Sequence, residues 1–526
     1  MRIRILKRTL LLIAISFPIL LNAQTASLKA NWQNLDLKTD SVFGVSTEKA
    51  YTELLKGKKH VTVLVAVIDV GVDINHEDLK SVIWTNPKEI AGNHIDDDKN
   101  GYVDDLHGWN FLGGPKGNVE HETYEYVRLI RLEKPKYENA DSTKLSAAEL
   151  VKYHEYLEMK TKLNTQLAEA NISRPGLVGL QLDTLLMDMK NKNPKVADFK
   201  NFKPKNDFQK NEVNYAINHY KGNDSNYTSD YRKYLVVWRK DIQNELDYSL
   251  NINYDPRSIV GDNYNDDNEH YYGNNDVTGP DAHHGTHVAG IIGAVRDNNI
   301  GIKGVANDVM IMPVRVTFIG GDERDKDVAN AIRYAADNGA KVINMSFGKD
   351  YSWDKKVVDD AVKYAVSKDV LIVHAAGNEN ADRDKKTFYP NKIYADSSGM
   401  ASAWIEVGAS GSKDGEFLKA YFSSYGKINV DVFAPGVDIY STTPNSTYGD
   451  DSGTSMATPM VAGLAALIRS YYPKLTAVQV KEIILNSVVK VNHDVTINEK
   501  KVPFADICKT GGIINAYNAL KLAATY

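Results

Sequence analysis

The sequence predicts an α/β protein: a three-layer α/β/α sandwich on a mainly parallel sheet, interrupted by a mostly helical insertion at 113–254. Three observations carry this prediction. Apolar, β-branched runs without polar alternation, at 61–68 and 370–373, read as strands buried on both faces, the kind that parallel sheets contain. Runs rich in small residues, at 284–290 and 460–468, read as helices that pack closely against such strands. Between 113 and 254 the apolar side chains instead recur at helical spacing.

Composition bounds the rest. At 526 residues and 43% hydrophobic the chain can build a large core, and a net charge of −5 gives no electrostatic case for nucleic acid. Cys508 is the one cysteine, so no intramolecular disulfide can form. There is no fixed-period repeat.

The amino terminus carries Arg2, Arg4, Lys7 and Arg8, then an apolar stretch over 10–21, then Asn22-Ala23-Gln24. This is a signal peptide over 1–23 with cleavage after Ala23, and it directs export to the periplasm or beyond. Leu21 is larger than the small residue usual at the third position before the cut. An uncleaved anchor is the alternative, but the apolar stretch is shorter than the ~20 residues a span needs, so no membrane span is expected after cleavage. Leu35-Asp36-Leu37 and a helix over 48–55 precede the first buried strand.

Asp69 follows the run 61–68 and precedes Gly71. A carboxylate there lies at the carboxyl end of a parallel strand, where open α/β sheets gather site residues; a turn aspartate is the alternative. An acidic loop follows, with five aspartates at 96, 97, 98, 104 and 105. Asp96, Asp98 and Asn100, the glycine at 101 and the backbone carbonyl of Tyr102 match the first half of a calcium loop. The twelfth position is His107 where an EF-hand has glutamate, so Asp104 or Asp105 would close the shell of a structural Ca²⁺.

In the insertion, Ser146-Ala147-Ala148-Glu149 reads as a capping box, followed by Tyr153, Tyr156, Met159, Leu163 and Leu167 at spacings of three and four. Tyr231, Leu235, Trp238, Ile242 and Leu246 repeat the pattern, with lysine- and asparagine-rich connections such as 191–207 between. The helices either cover their own apolar faces or form a lid, autoinhibitory element or dimer surface.

His284 opens a helix whose residues 285, 289, 290 and 293 are small, and Ser455, after Gly453-Thr454, begins another. A serine at a helix N-terminus sits near unpaired N–H groups and the positive end of the dipole, which favours an oxyanion there. Taken singly, each of these residues also reads as a cap.

Together they resemble the subtilisin-like serine proteases, the subtilases of peptidase family S8. Val67-Ile68-Asp69-Val70-Gly71 with His76 and Leu79, His284 to Gly290, and Gly453 to Pro459 match the three motifs in the family's chain order. Phe422-Ser423-Ser424-Tyr425-Gly426, 432–436 and 511–516 are also family-like, so the resemblance covers roughly 43–112 and 255–522. It implies a subtilisin-like fold and a serine endopeptidase acting on polypeptides through an acyl-enzyme, with catalytic Asp69, His284 and Ser455 and with Asn378 as oxyanion donor. Ser346, Phe347 and Gly348 resemble the edge strand that pairs with substrate and walls its pocket, and Ala376 and Gly377, in the segment that resembles the one carrying the oxyanion donor, are further substrate-binding candidates; the pocket floor is not assigned within 389–408. The resemblance divides the chain into a short segment or reduced prosegment at 24–45 and a peptidase domain at 46–526. Val70 departs from the family, which places Ser or Thr after the catalytic aspartate. Two other readings compete: a catalytically silent relative acting as a binding protein, and a metal hydrolase using His283, His284 and His287.

Overall fold

The computed structural model describes residues 30–172, 183–192, 194–206 and 240–526 apart from 319, with isolated positions between 206 and 240. The signal peptide expected at 1–23 lies outside the described residues, as do Tyr231, Leu235 and Trp238 of the second amphipathic pattern.

The central sheet is built, in chain order, from β1 (Val63–Asp69), β2 (Trp109–Asn110), β3 (Val309–Arg315), β4 (Val342–Met345), β5 (Leu371–Ala375), β6 (Trp404–Ser410), β7 (Val432–Pro435), β8 (Val489–Lys490) and β9 (Gly512–Ile513). Across the sheet the order is β8-β9-β7-β6-β5-β4-β1-β3-β2, and only β8 runs antiparallel to its neighbour. The longer helices are α1 (Glu125–Tyr137), α2 (Ala147–Ile172), α3 (His283–Gly293), α4 (Asp325–Asp337), α5 (Lys355–Ser367), α6 (Thr454–Tyr471), α7 (Ala477–Asn486) and α8 (Ala516–Ala523).

β1 explains the absence of alternation in its sequence. Val63, Val65 and Val67 enter a core with Val288 and Ile292 of α3 and Val461 and Leu464 of α6. Ala66 and Ile68 enter a second core with Val328 and Ile332 of α4 and Val358 and Val362 of α5. Successive residues of a strand point to opposite faces, and here helices cover both, so every position is apolar. The expected three-layer α/β/α sandwich is the architecture formed.

The segment 30–45 packs on the first of these cores and, through Phe43, on a third cluster with Phe433 and Phe504. Trp32 and Val45 are buried in the first core, and the Trp32 indole donates to the Asp438 carbonyl at 3.0 Å.

In the insertion the capping box forms: the Ser146 hydroxyl and amide donate to the Glu149 carboxylate, and the Glu149 amide donates back to the Ser146 hydroxyl. Tyr156, Met159 and Leu163 of α2 then pack on Tyr126, Val127, Ile130 and Tyr137 of α1. The stretch read as a connection, 191–207, holds a short helix, Val196–Asn201, where the Asp198 carboxylate accepts the Lys195 amide.

Candidate active site

Asp69 ends β1, which has β3 on one side and β4 on the other. The chain leaves β1 for one side of the sheet and later returns to the other, and the crevice between such strands is where open α/β sheets place their sites. α3 brings His284 to this crevice in its first turn. Its close approach depends on Gly285, where a Cβ would meet the Gly71 carbonyl oxygen at 2.1 Å. His284 Nδ1 lies 2.7 Å from Asp69 Oδ1. The Asp69 side chain is 2% exposed and that of His284 31%, so the carboxylate is enclosed while the ring reaches the surface.

Burial of the imidazole pulls its pKa down, but the Asp69 carboxylate and its hydrogen bond, with weaker help from Asp451 and Asp281, outweigh burial and raise it above 6.5. Asp69 Oδ1 also accepts the Val70 N–H at 2.8 Å, whereas Oδ2 is buried with no hydrogen-bond partner among the described residues. Val70 has no hydroxyl to offer it. Arg315, beside Asp69 in the sheet register, is itself buried and donates to the Val70 carbonyl at 2.7 Å. Burial lowers its pKa to about 10 against the pull of Asp276, Glu120 and Asp281.

Ser455 is the second residue of α6, after Gly453 as N-cap. Its hydroxyl donates to the Ser346 carbonyl oxygen at 3.1 Å, and the Ser346 hydroxyl donates to the Ser455 carbonyl oxygen at 2.9 Å. In this resting geometry Ser346, and not the His284 ring, engages the Ser455 hydroxyl. Asn378 follows β5, and its Oδ1 accepts the Thr454 amide and hydroxyl, both at 2.9 Å. A backbone N–H only donates, so the carboxamide orientation is fixed and Nδ2 remains the donor. A Cβ placed on Gly453 would lie 3.4 Å from the Ser455 amide nitrogen and 3.6 Å from Asn378 Nδ2, so both donors border one small space.

Ser346, Phe347 and Gly348 continue past β4, and Ala376 and Gly377 past β5. The strand leading to Ser346 is internal, because β4 lies between β1 and β5. Only its continuation beyond Met345 leaves the ladder, since β5 ends at Ala375 and β1 at Asp69.

The sequence profile of the Subtilase family (peptidase S8) matches residues 61–504. The chain belongs to the subtilase family. Thermitase of Thermoactinomyces vulgaris is 40% identical over 239 residues, which are 45% of this chain and 75% of thermitase. A thermophilic serine proteinase of Bacillus sp. (strain AK1) is 44% identical over 36% of this chain and 42% of its own length. Subtilisin DY of Bacillus licheniformis is 40% identical over 38% of this chain and 67% of its own. Family membership makes the protein a serine-type endopeptidase.

In this subtilase α1, within the segment expected to be an insertion, turns its polar face toward Lys349 and Trp353. Glu125, in its first turn, pairs with Lys349 at 3.2 Å, directly after the segment 346–348, and accepts the Trp353 amide at 2.7 Å. Lys349 also pairs with Asp325 at 2.7 Å and donates to the Glu323 carbonyl at 2.7 Å. Arg128 pairs with Glu125 and Glu122, and Glu122 with Arg324 at 2.8 Å. Burial alone would lower the Lys349 pKa, yet Asp325, Glu125 and Glu323 raise it, so the ammonium stays charged. Burial pushes the Glu323 carboxyl up to about 8 despite Lys349. The apolar face of α1 serves the helix pair, and its polar face supports the cleft.

The acidic loop differs from its expectation in two positions. Glu89, Asp96 and Asp98 bring carboxylate oxygens within 4.8 Å of one another. Asp104 is turned away, its carboxylate accepting the Gly92 and His94 amides at 2.9 and 3.0 Å. Asn100 Oδ1 accepts the Tyr102 amide at 2.8 Å and keeps a second lone pair, while its Nδ2 donates to Asp105 at 3.0 Å. Tyr102 is anchored by its ring among Trp109, Phe111 and Tyr334. Glu89 precedes the loop motif, so no spacing rule within 93–105 finds it. His287, considered for a metal hydrolase, is buried, its pKa pulled down by burial to about 4, with Nε2 on the Gly449 carbonyl at 3.2 Å.

Proposed function

We propose that this protein is an exported endopeptidase that cleaves polypeptides through an acyl-enzyme. Ser455 is the nucleophile, His284 the general base and then acid, and Asp69 the group that orients and stabilises the imidazolium. The observation that carries this reading is the 2.7 Å contact of His284 Nδ1 with the enclosed Asp69 carboxylate. It fixes the tautomer with the proton on Nδ1 and leaves Nε2 as the acceptor for a serine proton.

Substrate entering the crevice displaces the Ser346 carbonyl from the Ser455 hydroxyl, and rotation about the serine Cα–Cβ bond aims it at the base. The oxyanion that forms is met by Asn378 Nδ2 and the Ser455 amide, the two donors that flank Gly453. Residues 346–348 and 376–377 take the substrate backbone between them by strand addition. Replacing Ser455 by Ala should abolish peptide hydrolysis and labelling by a fluorophosphonate while leaving the thermal midpoint close to that of the parent. Undiminished hydrolysis by that variant overturns the assignment.

The same reading includes a structural Ca²⁺ held by Glu89, Asp96 and Asp98. The donor set fits: a hard cation takes carboxylate oxygens, and the Glu89 Oε2 atom, in a residue 8% exposed, has no hydrogen-bond partner among the described residues. Export is supported by the basic then apolar amino terminus and by Ala23 before the cut. No helix among the described residues is long and apolar enough to cross a membrane.

A further inference from the structure

The pocket for the residue before the cleaved bond would open between Gly348 on one wall and Gly377 on the other, and the missing side chains of two facing glycines would ordinarily leave a slot. Here the slot is filled. A Cβ on Gly348 would lie 2.4 Å from Phe388 Cε1 and 2.6 Å from Cζ, and one on Gly377 would lie 3.2 Å from Phe388 Cζ. The Phe388 ring therefore touches both walls. It is only 9% exposed.

Three features hold the ring there. The Lys349 amide donates to the Tyr389 carbonyl and the Tyr389 amide to the Lys349 carbonyl, both at 2.8 Å, which ties the residue after Gly348 to the residue after Phe388. The Arg383 guanidinium stacks on the ring at 4.0 Å from its centroid and donates from Nε to the Ala376 carbonyl at 2.7 Å. Glu379 pairs with Arg383 and so fixes the guanidinium. A Cβ on Gly377 would also meet Arg383 Nη2 at 2.2 Å and Glu379 Oε2 at 2.6 Å, so the wall behind Gly377 is as crowded as the floor.

We propose that Phe388, propped by Arg383, closes this pocket and restricts the residue before the cleaved bond to a short side chain. The inference rests on the reading of 346–348 and 376–377 as the substrate walls. A bulky side chain has to expel or repack a buried ring, whereas a methyl or hydroxymethyl group fits above it. Differences of one or a few carbon atoms in such a pocket change kcat/KM by about 10- to 200-fold.

The test uses four tetrapeptide anilides that differ only in the last residue, Ala, Leu, Phe or Lys, with rates normalised to sites titrated by a fluorophosphonate. The parent enzyme should prefer Ala over Phe by at least about tenfold, and Phe388→Ala should raise the Phe-to-Ala ratio by at least about tenfold. Phe388→Leu removes less volume and should move the ratio the same way, which keeps the test in force if the alanine variant does not fold. Equal turnover of Ala and Phe by the parent, or an unmoved ratio in the folded variant, overturns the inference. Absence of both labelling and turnover with all four substrates overturns the catalytic reading, and this inference with it.

Discussion

Replacing Lys349 by Met tests whether the insertion supports the cleft or merely decorates it. The ammonium makes ion pairs with Glu125 and Asp325 and a hydrogen bond to the Glu323 carbonyl, and its side chain is 1% exposed. Removing one partner of a buried pair typically costs about 3–5 kcal/mol because the other charge is left stranded. The lower end applies here, about 3 kcal/mol, because both acids keep other donors. Glu125 retains Arg128 and the Trp353 amide, and Asp325 retains the Ser352 hydroxyl and the Asp354 amide. Methionine also recovers part of the packing of the lysine stem. Denaturant unfolding measures the loss, and a second variant, Lys349→Met with Asp325→Asn, should recover part of it by removing a stranded charge. Because Lys349 follows Gly348 directly, the single variant should also raise KM for extended peptides more than for a single-residue ester that does not reach 346–348. A stability loss under about 1 kcal/mol, the range of a surface pair, together with an unchanged KM for extended peptides, would refute the reasoning.

Three other outcomes are expected. The acid limb of kcat/KM should fall as pH drops through the raised His284 pKa, since protonation removes the base; Asp69→Asn takes away the carboxylate that raises it and should move that limb to lower pH, so an unmoved limb counts against the pairing. Val70→Ser offers a donor to the buried, unpartnered Asp69 Oδ2 and should increase catalytic efficiency, and an equal or lower value would show that this oxygen needs no donor. Stripping Ca²⁺ with a chelator should lower the thermal midpoint, a ligand at 100 times its Kd being worth about 2.7 kcal/mol; Glu89→Gln should weaken this response, and a midpoint indifferent to chelation in the parent removes the calcium site.

The sequence alone determined the sandwich and named the residues proposed for the site, of which Asp69 and His284 come into contact. β1 is legible because both its faces are buried, which forces a continuous apolar run, and its end is marked by Asp69. His284, Ser455 and Asn378 are legible through short motifs that resemble those of the subtilases, and the structure adds the reason for one of the small residues, since a Cβ at Gly285 would meet the Gly71 carbonyl. The tertiary structure alone decided what depends on side-chain direction between distant segments. The turn of the acidic loop sends Asp104 to cap two amides and brings in Glu89, although both belong to the same acidic stretch of chain. The resting contact of Ser455 with Ser346, the Phe388 ring between Gly348 and Gly377, and the reach of Glu125 from the insertion to Lys349 have no local signature. Periodicity and motif spacing encode which face a residue occupies within its own element, whereas a donor set, a pocket floor or an ion pair is fixed only when separate elements pack and their side chains compete for the same space.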